Sequence, residues 1–158
     1  MIHLHAIGYV LGQFLVVFSL TMIVPLVYGW AAGDEHVGAI LQSLLVTAGV
    51  GAASLLFSKR PDKELSQREG LLLVVATWAT ICLFGALPFV FSGQFPSVTD
   101  AIFESVSGFT TTGATILANV EVLSPSVQFW RCFTHWLGGL GIVLLGVAVL
   151  PLVGHGGM

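Results

Sequence analysis

The sequence predicts an all-α membrane protein: two leading transmembrane helices, then one helix–pore loop–helix unit. Three observations carry that expectation. First, the 158 residues are 56% hydrophobic and 8% charged, with mean hydropathy +0.96. A soluble domain carries about a quarter charged residues, and a small one has too little interior to hide so much apolar surface. Second, Asp, Glu, Lys and Arg are absent from Met1–Gly33, His36–Ser58, Gly70–Thr99 and Cys132–Met158. Each stretch can supply the roughly 20 apolar helical residues that cross a bilayer core. Third, the segment between the last two stretches reads as a short capped helix followed by a Thr/Gly run.

The expected spans are about Ala6–Tyr28, Val37–Phe57, Leu71–Phe91 and Val127–Leu150. Pro25 and Pro88 fall inside spans, where kinks persist if neighbouring helices satisfy the freed carbonyls. Residues 58–69 hold Lys59, Arg60, Lys63 and Arg68, four of the five basic residues. An excess of basic residues marks a cytoplasmic loop, so the N-terminus is expected in the cytoplasm. The Asp34–Glu35 loop and residues 92–126 then lie outside. Small residues in the second span (Ala48, Gly49, Gly51, Ala52, Ala53, Ser54) and Gly8 and Gly12 in the first suit close helix packing. The net charge of -3 gives no sign of a nucleic-acid partner. Cys82 and Cys132 have no metal-ligand spacing and read as small hydrophobes.

Within 92–126, Phe95-Pro96 breaks any helix, and Ser97 with Asp100 three residues on forms a capping box. A short helix over about 97–107 follows, then Gly108-Phe109-Thr110-Thr111-Thr112-Gly113-Ala114-Thr115. Composition alone favours an ordinary outer loop with a Ser/Thr/Gly turn. The order of elements favours a re-entrant pore loop: outward helix, capped half-helix, Thr/Gly strand, inward helix. Backbone at membrane depth survives outside a helix only where protein buries it or water lines it. Its carbonyls can then replace the water around a hard cation. Glycine at 113 would let the chain take φ > 0 and turn a carbonyl.

Ser107–Thr115 resembles the first filter of the Trk/Ktr/HKT potassium transporters, in their TrkH/TrkG branch. The run Phe129-Trp130-Arg131-Cys132-Phe133-Thr134-His135-Trp136-Leu137-Gly138-Gly139-Leu140-Gly141-Ile142 resembles the helix that follows that filter. The tail Leu150–Met158 and the two leading helices are also similar to that branch. The resemblance implies a potassium-channel-like fold, with potassium as substrate and no covalently bound cofactor. Its implied organisation is two leading helices over 1–57, a basic loop over 58–69 and the first repeat over 70–158, with its filter over about 110–115. It implies potassium ligation by backbone carbonyls of Thr111, Thr112, Gly113 and Ala114, centred on Thr112 and Gly113, with Thr110, Thr115 and Glu104 as supports. It further implies a multi-pass subunit of the bacterial inner membrane, in contact with lipid and with a TrkA-like cytosolic nucleotide-binding regulator. Relatives carry four such repeats and this sequence one, so the expectation is a truncated chain. Further copies, or the missing repeats from another polypeptide, would have to complete a ring.

Other residues leave more than one reading. Glu104 is either a source of negative potential at the mouth or a hydrogen-bonding pin between helix and filter, and the pin is preferred. Arg131 could snorkel to headgroups or pair with Glu104 or Glu121; a structural role is preferred. His135 could couple protons or simply bond a neighbour. Trp30, Trp130 and Trp136 suit interfacial belts. Nucleophile–base sets, phosphate loops and metal clusters are absent from the sequence, so an enzyme is not expected. The competing function is a non-conducting membrane scaffold that keeps its helix contacts without transport.

Overall fold

The computed structural model describes residues 4–58 and 67–154. Seven helices cover most of them: α1 (Leu4–Thr21), α2 (Ile23–Ala31), α3 (Val37–Phe57), α4 (Gln67–Gly85), α5 (Leu87–Ser92), α6 (Val98–Phe109) and α7 (Pro125–Gly154). A 3₁₀ turn at Val120–Val122 precedes α7. Among the described residues, three stretches are long and apolar enough to cross a membrane: Ile7–Ala31, Val37–Phe57 and Glu69–Ser92. With thirty residues, α7 is about 45 Å long and outlasts a bilayer core of about 30 Å. Residues 59–66 of the basic loop and 155–158 of the tail lie outside the described residues.

The first span is α1 and α2 in series, broken at Met22. The third is α4 and α5, broken at Ala86. Both breaks sit three or fewer residues before a proline (Pro25 and Pro88), whose ring cannot donate to the preceding turn. At the second break Trp130 donates its indole N–H to the Gly85 carbonyl at 2.9 Å. This corrects the expectation for Trp130. It is fully buried, and its ring meets Phe18, Phe109 and Phe133. Its polar edge serves a kinked helix rather than a headgroup layer. Trp30 (79% exposed) and Trp136 (58%) do face outward.

The glycine spacing of α1 acts against α3. A methyl group at Gly51 would sit 2.9 Å from the Val16 backbone nitrogen and 3.0 Å from the Gly12 carbonyl oxygen. Ser54 donates its hydroxyl to the Gly8 carbonyl at 2.8 Å. The two backbones therefore approach as small-residue interfaces allow. Gly49 faces open space and takes no part. Gly51→Val is expected to force α1 and α3 apart, at a cost of about 1–3 kcal/mol. A lower melting temperature of the detergent-solubilised protein, with Gly49→Val as the near-neutral control, measures it.

Candidate re-entrant filter loop

The half-helix begins as its residues dictate. Ser97, extended at φ -146°, accepts the Asp100 backbone N–H at 3.2 Å and donates its hydroxyl to the Asp100 carboxylate at 2.8 Å. The helix α6 then runs two residues past the expected end. Gly108 and Phe109, expected in the extended run, are helical. Gly108 stays in the helix because it is needed for contact: a methyl group there would overlap the Thr134 side chain. Gly85 leaves room for the Phe109 ring, and Gly138 for the Phe109 carbonyl. Ser105 donates to the Cys82 carbonyl at 2.7 Å. The C-terminal end of α6 is thus clamped between α4 and α7, with Phe109 edge-on to Phe18 of α1.

A Schellman-type closure ends α6. The Thr112 N–H bonds the Ser107 carbonyl and the Thr111 N–H bonds the Gly108 carbonyl, each at 2.9 Å. That closure puts one residue in the left-handed region, usually glycine. Here it is Thr111, at φ +56°. A β-branched residue there is strained, at about 1–2 kcal/mol. Nothing in the sequence signals this, because a threonine at that position gives no warning of positive φ. Gly113 follows at φ +76°. With Thr110 at -84° and Thr112 also negative, the sign of φ alternates over four residues. Thr111→Gly is expected to raise unfolding stability by about 1 kcal/mol through relief of that strain, read as a higher melting temperature.

The remaining candidate residues are brought to the same place. Thr110 donates to the Val106 carbonyl at 2.7 Å, and its hydroxyl meets that of Thr112 at 2.8 Å. Ser107 donates to the Ala114 carbonyl at 2.6 Å, so one lone pair of that carbonyl faces α6. Thr115 donates to Glu104 at 2.9 Å and accepts the Leu117 N–H at 3.1 Å. Residues 110–116 are exposed on their other side.

Glu104 is 1% exposed and its second oxygen is 2.5 Å from Arg131 Nε. Arg131, on the second turn of α7, therefore pairs inward with Glu104. His135 Nδ1 lies 2.9 Å from the Arg131 carbonyl, which also accepts the Thr134 hydroxyl. Sequence reasoning did not find the acceptor at the start of α7. Asp34, from the loop between α2 and α3, accepts both the backbone N–H of Ser126, at 2.8 Å, and its hydroxyl. Gly29 makes room for the Ser126 side chain. Burial pushes the Asp34 carboxyl up, but hydrogen bonds from the Ser126 hydroxyl and the His36 and Ser126 N–H groups outweigh it and hold it below the ordinary aspartate value. A depressed carboxylate stabilises the fold above its unfolded pKa and loses that effect as pH falls through the folded one. The difference in melting temperature between the parent and Asp34→Ala should therefore be full above about pH 4 and shrink as pH falls further, through the depressed folded value. At pH 7 the substitution is expected to cost about 1–2 kcal/mol.

Kinked spans packed by glycine, and a capped half-helix returning through a Thr/Gly loop between two of them, define an integral membrane protein of the helix–pore loop–helix class. A match to the family described as TrkH, Cation transport protein, covers residues 36–158. The chain belongs to that family. It is 42% identical over 158 residues to the Trk system potassium uptake protein TrkH of Salmonella typhimurium, covering 99% of this chain and 32% of that protein. It is 30% identical to the Trk system potassium uptake protein TrkG of Escherichia coli, covering 98% of this chain and 32% of that one. The crystal structure of the potassium transporter TrkH from Vibrio parahaemolyticus superposes with a TM-score of 0.91 at 37% identity, over 99% of this chain and 34% of that one. The chain spans about a third of the length of these relatives.

Proposed function

We propose that this chain supplies one strand of the filter in a potassium uptake system of the bacterial inner membrane. The observation that carries the reading is the alternation of φ sign from Thr110 to Gly113 at the end of a buried half-helix. In an extended strand successive carbonyls point to opposite sides. Alternating left- and right-handed backbone turns them toward one side, as a row of cation ligands requires. Thr111, Thr112 and Gly113 are the principal carbonyl ligands in this reading, and Ala114 contributes its remaining lone pair. The α6 C-terminus adds the negative end of its dipole, while Glu104 and Thr115 hold the strand from behind. Potassium enters by exchanging water for these oxygens, with no bond made or broken, so the chain acts as a transporter and not as an enzyme.

One strand surrounds no ion, and residues 110–116 are exposed in this chain alone. The strand therefore works with others, either in further copies or in repeats of the same system. A TrkA-like nucleotide-binding regulator fits the cytosolic face of such an assembly, with the N-terminus on that side. The exposure of the loop also favours the second reading, a non-conducting scaffold, for the chain by itself. Expression in cells lacking their own potassium uptake separates the two. Growth at low potassium supports transport. Stable insertion without growth, even when the further repeats of a relative are co-expressed, refutes it.

A further inference from the structure

We infer that Ser107 is a positioning residue that determines which alkali cation the loop accepts, by clamping the filter strand on both sides of Gly113. The inference rests on the filter reading above. Ser107 lies in the last turn of α6 and is buried. Two of its groups hold the loop. Its carbonyl accepts the Thr112 N–H at 2.9 Å, and its hydroxyl donates to the Ala114 carbonyl at 2.6 Å. A helical serine ordinarily bonds the carbonyl three or four residues back, as Ser19, Ser43 and Ser92 do in this chain. Ser107 instead reaches seven residues forward. A hydroxyl has one proton to give, and here the loop takes it.

The consequence falls on the ion. Glycine adopts positive φ but does not require it, so Gly113 at +76° needs neighbours that hold it there. Both neighbours are tied to Ser107, and Ser107 has a firm seat. Thr134 packs against Gly108, and Gly138 lies against the Phe109 carbonyl. A tethered Ala114 oxygen cannot follow a smaller ion inward. It also shares its electron density with the Ser107 proton, which weakens its pull on a cation. Selectivity among alkali ions comes from cavity size or from carbonyl field strength. A held, weaker-field oxygen favours potassium over sodium on either account.

The test uses the full chain, expressed with the further repeats of a relative in cells lacking their own potassium uptake. It reads the ratio of rubidium to sodium uptake, with the amount of protein in the membrane measured alongside. Ser107→Ala should lower the ratio about fivefold, the factor that one neutral hydrogen bond contributes. Ser107→Thr keeps the hydroxyl and should restore most of it. Ser105→Ala deletes a hydroxyl of the same helix whose acceptor is the Cys82 carbonyl of α4. It should leave the ratio unchanged, because lost packing lowers uptake of both ions in proportion. An equal fall in Ser105→Ala, or an unchanged ratio in Ser107→Ala, would overturn the clamp. Gly113→Ala tells that failure from failure of the filter reading. A ratio moved by Gly113→Ala but not by Ser107→Ala removes the clamp alone. A ratio moved by neither, or no uptake by the parent assembly, removes both.

Discussion

In the assembled uptake system proposed above, the Gly113→Val substitution is expected to cut potassium uptake at least about tenfold while leaving membrane insertion nearly unchanged. Glycine at 113 has φ +76°, and a Cβ added there would meet nothing within 4 Å. The obstacle is therefore conformational rather than steric crowding. A β-branched residue resists the left-handed region by about 1–2 kcal/mol or more, and each 1.4 kcal/mol is about a factor of ten in an equilibrium or rate. The loop can escape by flipping to negative φ, which turns a carbonyl out of the row. Rubidium uptake by deficient cells that express the chain together with the further repeats of a relative, with sodium as competitor, measures the effect. Gly113→Ala should fall between. Unchanged uptake and unchanged preference for rubidium in the valine variant would remove the carbonyl reading.

Glu104→Ala should have the largest effect on stability, a loss of about 3–5 kcal/mol. The substitution leaves the largely buried Arg131 guanidinium without its partner and Thr115 without its acceptor. Breaking a buried ion pair by deleting one member typically costs that much, because the remaining charge is uncompensated. Replacing both members with apolar residues of similar volume is often nearly neutral. Glu104→Met combined with Arg131→Met should therefore recover most of the melting temperature. In the assembled uptake system proposed above, transport should stay impaired in that double variant, since Thr115 still lacks its anchor. Full recovery of both stability and uptake would show that the carboxylate does not hold the filter strand.

The spanning helices were legible because a bilayer demands charge-free length, and this shows directly in where Asp, Glu, Lys and Arg fall. The start of α6 was legible for a local reason: Ser97 and Asp100 are three residues apart and cap each other. Gly113 could be read because glycine at a positive φ has a stereochemical signature. Long-range pairs had no such signature. Trp130 meets Gly85 across 45 positions of sequence, and a tryptophan near a span end looks the same whether it faces headgroups or a kinked helix. Arg131 had two carboxylates to choose between, and only packing decides for Glu104. Thr111 was opaque for another reason. Its left-handed backbone is imposed by the closure of α6, against the preference of the residue itself.

The bond from Asp34 to Ser126 joins residues 92 apart. During synthesis the ribosome releases Asp34 long before the first turn of α7 exists. The hairpin of α2 and α3 thus carries its acceptor before α7 is made, and the two bonds to Ser126 fix the start of α7 against it. A version beginning after residue 69 would still insert its helices, but its last one would enter the bilayer with a frayed upper end and no fixed height.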